Sequence, residues 1–205
     1  MPHGQIGDSL YGREVRRVKP LLKCHEQTAG QTVRKLEVDL MLAGFQLTGW
    51  LGNVSSTGLF GIDVNPLKAR HYLDLWIRHL LLNCLQPEGV ARVSIRQGLD
   101  GRLVLLPVTE PEVILQDLLQ LYWQGLQKPL HFFPKSSLAY MEADEKQDPL
   151  KKARQRWEGS DNQWGESRDI YYQVVFRHQQ PLDADFEALS QQIFGPLLAQ
   201  RGELS

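Results

Sequence analysis

The sequence predicts an α/β (α+β) fold: a mixed sheet flanked by helices, with extra helices at the C-terminal end. Three observations predict it. Between residues 32 and 64, apolar side chains recur mostly at every second position, which is the period of strands. At 10–29 and 66–85 they recur at helical spacing. A hairpin pattern follows at 90–106, and most of the remainder reads as helices.

The elements follow in order. In 10–29, Val15, Val18 and Leu22 share one helical face, Pro20 predicts a kink and Gly30 a stop. Three strands of a meander come next. They are carried by Val33, Leu36, Val38, Leu40 and Leu42, by Phe45, Leu47, Gly49 and Leu51, and by the run Leu59 to Val64. Turns fall near Ala43-Gly44 and across Asn53 to Gly58, where the residues are turn formers. Pro66 opens the next helix, 66–85, whose apolar stripe includes Leu73, Trp76, Ile77, Leu80, Leu81 and Cys84. Pro87-Glu88-Gly89 ends it. Residues 90–97 and 102–106 read as a hairpin around Asp100-Gly101. A helix over 110–127 precedes a short strand or extended segment, Leu130 to Phe133, and Pro134 starts a helix through Tyr140. The stretch 142–169 holds eight Asp/Glu and six Lys/Arg, which predicts a loop broken by a short helix at 150–158. Helices at 169–177 and 183–200 close the chain, with Asp183 or Asp185 as the N-cap of the last.

With 205 residues, the chain fits a single domain that needs no disulfide or metal to fold, with 1–7 as a flexible start. The net charge of −1 excludes a histone-like mode of DNA binding. Charge is uneven, however: residues 13–35 carry seven Lys and Arg against Glu14 and Glu26. That cluster is either a solvated helix face or a phosphate-facing patch. Two cysteines, Cys24 and Cys84, make no framework and read as small buried hydrophobes. The first residues show no signal peptide, and no apolar run approaches a membrane span, so a cytoplasmic protein is expected.

Common catalytic motifs fail on their chemistry. No phosphate-cradling glycine loop occurs, so no nucleotide cofactor is expected. His25-Glu26 lacks the second His that a zinc site needs, and no metal is expected elsewhere. Gly7-Asp8-Ser9-Leu10 matches the signature of an esterase family, but no Asp-x-x-His follows to activate the serine.

The meander carries more. A helix, three strands, a helix and a further strand is the order of the PD-(D/E)xK nuclease core. That core holds a divalent metal with an Asp on its second strand and an acidic-x-Lys on its third. Here those strands read Gly49-Trp50-Leu51-Gly52-Asn53 and Asp63-Val64-Asn65. Gly52 stands for the first carboxylate and Asn65 for the lysine, so Asp63 alone survives. One carboxylate is too few for a hydrated Mg²⁺ site. Glu37 and Asp39, on one face of the first strand, are the possible replacements. An active nuclease using Glu37, Asp39 and Asp63 is therefore the alternative to a degenerate site.

Longer segments carry a resemblance. They include Leu47-Thr48-Gly49-Trp50-Leu51, Leu75-Trp76-Ile77-Arg78-His79-Leu80 and Asp100-Gly101-Arg102. Tyr122-Trp123-Gln124-Gly125-Leu126, Pro129-Leu130 and Phe133-Pro134-Lys135-Ser136 follow. Lys152-Ala153-Arg154, Trp157-Glu158-Gly159 and Asp169-Ile170-Tyr171-Tyr172-Gln173 complete the series. In this order and spacing the chain resembles the RecC C-terminal domain family, part of exodeoxyribonuclease V (RecBCD). The resemblance implies one nuclease-like domain over 1–205, without catalysis, cofactor or metal. The helix at 66–85 also lacks the Gln-x-x-x-Tyr element of active RecB-type nucleases. The implied partners are RecB, RecD and a double-stranded DNA end or fork. The implied role is scaffolding and DNA guiding in double-strand break repair by homologous recombination, with a pin that splits the duplex. Carried onto this chain, the pin is Ala43, Gly44 and Phe45 with Ser55, Ser56 and Thr57, and Phe45 and Phe60 stack on the last base pair. Arg13, Arg16, Arg17, Lys19, Lys68 and Arg70 are the candidate phosphate contacts, from local charge and the fold reading. The family's proteins are several times longer than this chain.

Overall fold

Five strands form one mixed sheet: β1 (Arg34–Leu42), β2 (Phe45–Ser55), β3 (Gly58–Ile62), β4 (Ser94–Gln97) and β5 (Arg102–Leu105), in that spatial order. The computed structural model describes residues 9, 11–13, 15, 18, 19, 21, 32–160, 163–177 and 179–202. β1, β2 and β3 are the expected antiparallel meander. β4 lies parallel to β3 and antiparallel to β5. A parallel neighbour demands a crossover, and helix α1 (Ala69–Leu85) makes it. Its Leu75, Trp76, Leu80 and Leu82 are buried in the main core with Leu51, Val54, Leu59, Leu103 and Leu105 of the sheet.

The remaining helices are α2 (Pro111–Gln127), α3 (Pro134–Met141), α4 (Pro149–Glu158), α5 (Ile170–Val175) and α6 (Ala184–Ala199). Proline starts three of them, where its missing N–H costs nothing. Asp148, Asp169 and Asp183 cap α4, α5 and α6 by accepting from the N–H of Lys151, Tyr171 and Phe186. Asp183 is thus the cap, and Asp185 lies in the first turn. A second core gathers under these helices around Phe133, with Ala153, Phe176 and Phe186.

Several expectations change. α1 begins at Ala69, not Pro66, because the Leu67 N–H is drawn to the Asp100 carboxylate at 2.8 Å and Lys68 becomes the N-cap. Residues 130–133 pair with no strand. The polar stretch hides a small ladder, β6 (Gly159–Ser160) with β7 (Gln163–Trp164), and a 3₁₀ turn, Glu166–Arg168. Strands of two residues leave no readable period. At the N-terminal end, the described residues from 9 to 21 are helical, with Leu21 buried and Val15 and Val18 exposed. Burial pushes the Cys84 thiol up to about 11, aided by Glu112, so it behaves as the expected inert hydrophobe. Cys24 lies outside the described residues. No described helix is long and apolar enough to cross a membrane.

One irregularity shapes the molecule. Arg34 faces Val54 while Leu36 faces Leu51, so β2 carries an extra residue at Gly52-Asn53, and Asn53 takes φ 61°. This bulge bends β2. Beyond it β2 pairs with β1 alone, since only Val54 and Ser55 pair with β3. Residues 36–51 therefore rise from the sheet as a two-stranded ribbon, about 20 Å long from Leu51 to Phe45.

Candidate nucleic-acid interface

The ribbon ends in a tight turn at Ala43 (φ 50°) and Gly44 (φ 81°), both exposed. Two positive φ values define the turn type that matches strand twist. The inner face, with Leu36, Val38, Leu40, Leu42 and Leu47, packs in the main core beside Leu115, Leu118 and Leu119 of α2. The outer face pairs Glu37 with Trp50, Asp39 with Thr48 and Met41 with Gln46. Trp50 and Met41 are each 68% exposed there.

The structure separates the proposed pin residues. Phe45 is half-buried, with its ring edge-on to Trp123 of α2 at 6.0 Å, so it is already an aromatic partner within the fold. Phe60 sits within β3, opposite Ile95, and not at a tip. Ser56 and Thr57 form the turn at the other end of β2 from Ala43-Gly44, so the two turns are not one pin. Ser55 is buried, and its Oγ lies 3.0 Å from Thr57 Oγ1. The Ser56 carbonyl accepts from the Ala91 N–H at 2.9 Å, so the loop after α1 holds this turn down. Gly58 is required there: a Cβ would meet the Val93 carbonyl oxygen at 2.1 Å.

The three carboxylates of the alternative nuclease reading do not converge. Glu37 and Asp39 line the ribbon's outer face, where Asp39 accepts from Gln46 Nε2 at 3.1 Å. Asp63 follows β3 and is clamped by the Arg96 guanidinium, which also binds Asp74 of α1. The Arg96 hydrogen bond holds the Asp63 carboxyl below the usual carboxylate range, against the opposing effect of burial. A carboxylate held by a guanidinium is a poor metal ligand. The Gly52 carbonyl accepts from Arg78 Nη2 at 2.8 Å, so a cation stands where the resemblance places the first metal carboxylate. Asn65 is exposed, and its carbonyl accepts from the Leu99 N–H at 3.3 Å. Among the described residues, the one trio of ligating side chains that meets is His131, Asp183 and Asp185, with Asp183 already capping α6.

The predicted cations also divide. Arg13 and Lys19 are exposed on the N-terminal helical segment, and Arg16 and Arg17 lie outside the described residues. Lys68 and Arg70, at the start of α1, line a cleft. Its other walls are Pro134 and Lys135 at the start of α3, and Trp164, Gly165, Glu166, Asp169 and Tyr172. Beside Arg70, His71 closes the helix start: its Nδ1 accepts from the Lys68 N–H at 3.0 Å. Burial lowers its basicity, against the pull of Asp63.

Both acids of the cleft are occupied. Glu166 is buried, and its carboxylate accepts from the N–H of Lys135 (3.0 Å), the N–H of Ser136 (2.7 Å) and Ser136 Oγ (2.8 Å). It therefore sits as the anion at the start of α3. Asp169 caps α5. Burial, with Glu166 and Asp169 nearby, pushes the Tyr172 hydroxyl up to about 12, so it stays a neutral donor. Trp164 is 66% exposed, and the Arg168 guanidinium lies 5.4 Å from its ring centroid. Sequence reasoning missed Lys135, Trp164, Glu166 and Arg168. The available signal was the presence of two tryptophans, Trp157 and Trp164, in the most polar stretch of the chain.

Fold and site together define a mixed α/β domain with an open, cationic cleft and a ribbon standing clear of its sheet. This is a surface suited to a large partner rather than an enclosed small-molecule pocket. A family model described as the RecC C-terminal domain matches residues 1–145, and the chain belongs to that family. It is similar to the RecBCD enzyme subunit RecC of Escherichia coli K12, with 28% identity over 198 residues, 88% of this chain and 17% of that protein. The Mycobacterium tuberculosis RecBCD enzyme subunit RecC is 28% identical over 169 residues, covering 77% of this chain and 15% of its own length. The Buchnera aphidicola protein of the same name is 20% identical over 187 residues, covering 85% and 18%. The chain thus spans less than a fifth of the length of these relatives.

Proposed function

We propose that this chain is a non-catalytic DNA-guiding and scaffolding part of a RecBCD-type complex acting in double-strand break repair. Its partners are RecB- and RecD-type subunits and a DNA end or fork. Membership of the RecC C-terminal domain family carries this reading. The element order supports a nuclease-like ancestry: an antiparallel meander, a crossover helix, then a strand parallel to the third. The scattering of Glu37, Asp39 and Asp63 supports the absence of catalysis. The strand-splitting element is the β1–β2 ribbon, led by Ala43 and Gly44 and braced from behind by Phe45 on Trp123. The turn at Ser56-Thr57 serves the fold instead.

Shortening the ribbon tests this. Removing Met41, Leu42, Phe45 and Gln46 takes two residues from each strand, so Leu40 and Leu47 still face inward. A RecC-type subunit carrying this change is assembled with RecB- and RecD-type partners. Duplex unwinding is expected to fall at least about tenfold, because a wedge repays unstacking worth a few kcal/mol per step. Assembly on native gels is expected to persist. Unwinding at the parent rate by an assembled complex would contradict the ribbon's role.

A further inference from the structure

We infer that the cleft between the starts of α1 and α3 and the segment 163–172 seats a single strand of DNA. Phosphates lie on Lys68, Arg70 and Lys135, and one base stacks on Trp164. The inference rests on the nucleic-acid reading above, but not on the ribbon.

Three observations carry it. First, Lys68 and Arg70 at the start of α1 and Lys135 at the distant start of α3 line one open groove. Among the described residues, no carboxylate lies within ion-pair distance of the Lys68 or Lys135 ammonium. Second, the two acids that line the groove already accept hydrogen bonds within the fold. Glu166 is held by α3 and Asp169 by α5, so neither is left to pair with the lysines. Third, a large indole stands two-thirds exposed at the wall of a charged groove, with Arg168 against it. An exposed tryptophan beside cations is the arrangement by which proteins hold unpaired bases, because every base offers a π-face and every linkage a charge. A duplex hides its base faces in the stack and has no use for this platform. An acidic peptide would use the cations but not the indole. The backbone N–H groups at the start of α3 are not part of the proposed seat, since Glu166 accepts from them, and α3 contributes only the Lys135 side chain.

The test is fluorescence anisotropy of the purified chain with a labelled oligothymidylate of about twenty nucleotides and with a duplex of equal length. The single strand is expected to bind more tightly than the duplex. Trp164→Ala is expected to weaken single-strand binding about 5- to 100-fold, and Trp164→Phe, which keeps a ring, by no more than about threefold. Lys135→Gln is expected to lower the slope of log affinity against log salt by about 0.7. All three variants should keep the parent's thermal midpoint, because the altered side chains are exposed. Parent affinity in Trp164→Ala overturns the proposal. So does tighter binding of the duplex, equal loss in the alanine and phenylalanine variants, or no binding to either probe. The shortened ribbon separates the two readings: it should unwind poorly in the complex yet bind the single strand normally.

Discussion

Replacing Glu166 with alanine is expected to lower the free energy of unfolding by about 3–5 kcal/mol. Glu166 is buried, and three donors point at it: the N–H groups of Lys135 and Ser136 and the Ser136 hydroxyl. Alanine leaves these donors without the acceptor. Each buried donor so orphaned costs about 1–3 kcal/mol, and the lost anion at the start of α3 adds up to about 1 kcal/mol. The damage is also local. α3 carries Phe133 at its N-cap, at the centre of the second core, so loosening its first turn loosens the aromatic cluster with Phe176 and Phe186. Glu166→Gln keeps one carbonyl oxygen and is expected to lose about half as much. Urea unfolding monitored by circular dichroism measures both. A loss below about 1 kcal/mol in the alanine variant would show that water satisfies the donors.

Acid is expected to destabilise the fold by about 3 kcal/mol through His79 alone. His79 is fully buried on α1. Its Nε2–H donates to the Leu106 carbonyl at 2.9 Å, and its Nδ1 accepts from Ser94 Oγ at 2.8 Å. This pairing ties α1 to β4 and to the end of β5, and it suits the neutral ring. Burial brings the imidazole from its ordinary 6.5 down to about 4, with the Leu106 hydrogen bond opposing. The folded state therefore refuses a proton that the unfolded chain accepts. Stability from this group is complete above about pH 6.5 and is lost as pH falls from there to about 4. Below that window the group adds no further change. His71, also lowered by burial, contributes with the same sign. Unfolding midpoints across this range measure the slope. His79→Gln keeps hydrogen-bonding capacity without titrating, and it is expected to flatten that slope. An unchanged slope in this variant would place the titration elsewhere.

What the sequence made legible was local. Alternation marked the strand ending at Leu42 and the strand from Phe45 to Leu51, and Ala43-Gly44 marked their turn, but the turn expected across 53–58 shrinks to Ser56-Thr57 because Asn53 to Ser55 continue β2 and Gly58 begins β3. The helix starts expected at 110, Pro134 and 150 lie within a residue of those observed, whereas Pro66 stands three residues before α1. What it hid depended on distant partners. Nothing near Phe45 announces that Trp123 covers it, so it read as a free stacking ring. Ser55 to Thr57 have the composition of an exposed tip, but the 86–93 loop lies against them. Glu166 read as one more charge in a polar stretch because its partners, Lys135 and Ser136, lie far back in the chain. The cleft was invisible for the same reason: Lys68, Lys135 and Trp164 meet only after three segments fold together. That Gly52 and Asn65 lack the groups a nuclease core would need there was legible from the sequence alone. The clamp of Arg96 on Asp63 was not.

Absence of catalysis is the claim on which the account turns, and a cleavage assay tests it most directly. The purified chain and its Asp63→Ala variant are incubated with end-labelled duplex and single-stranded DNA and Mg²⁺ or Mn²⁺. The variant leaves Arg96 paired with Asp74, so the fold is expected to survive. The account predicts no cutting, or the same trace from both proteins. Metal-dependent cutting by the parent that disappears in the variant would contradict it and make Asp63 a metal ligand in an active nuclease.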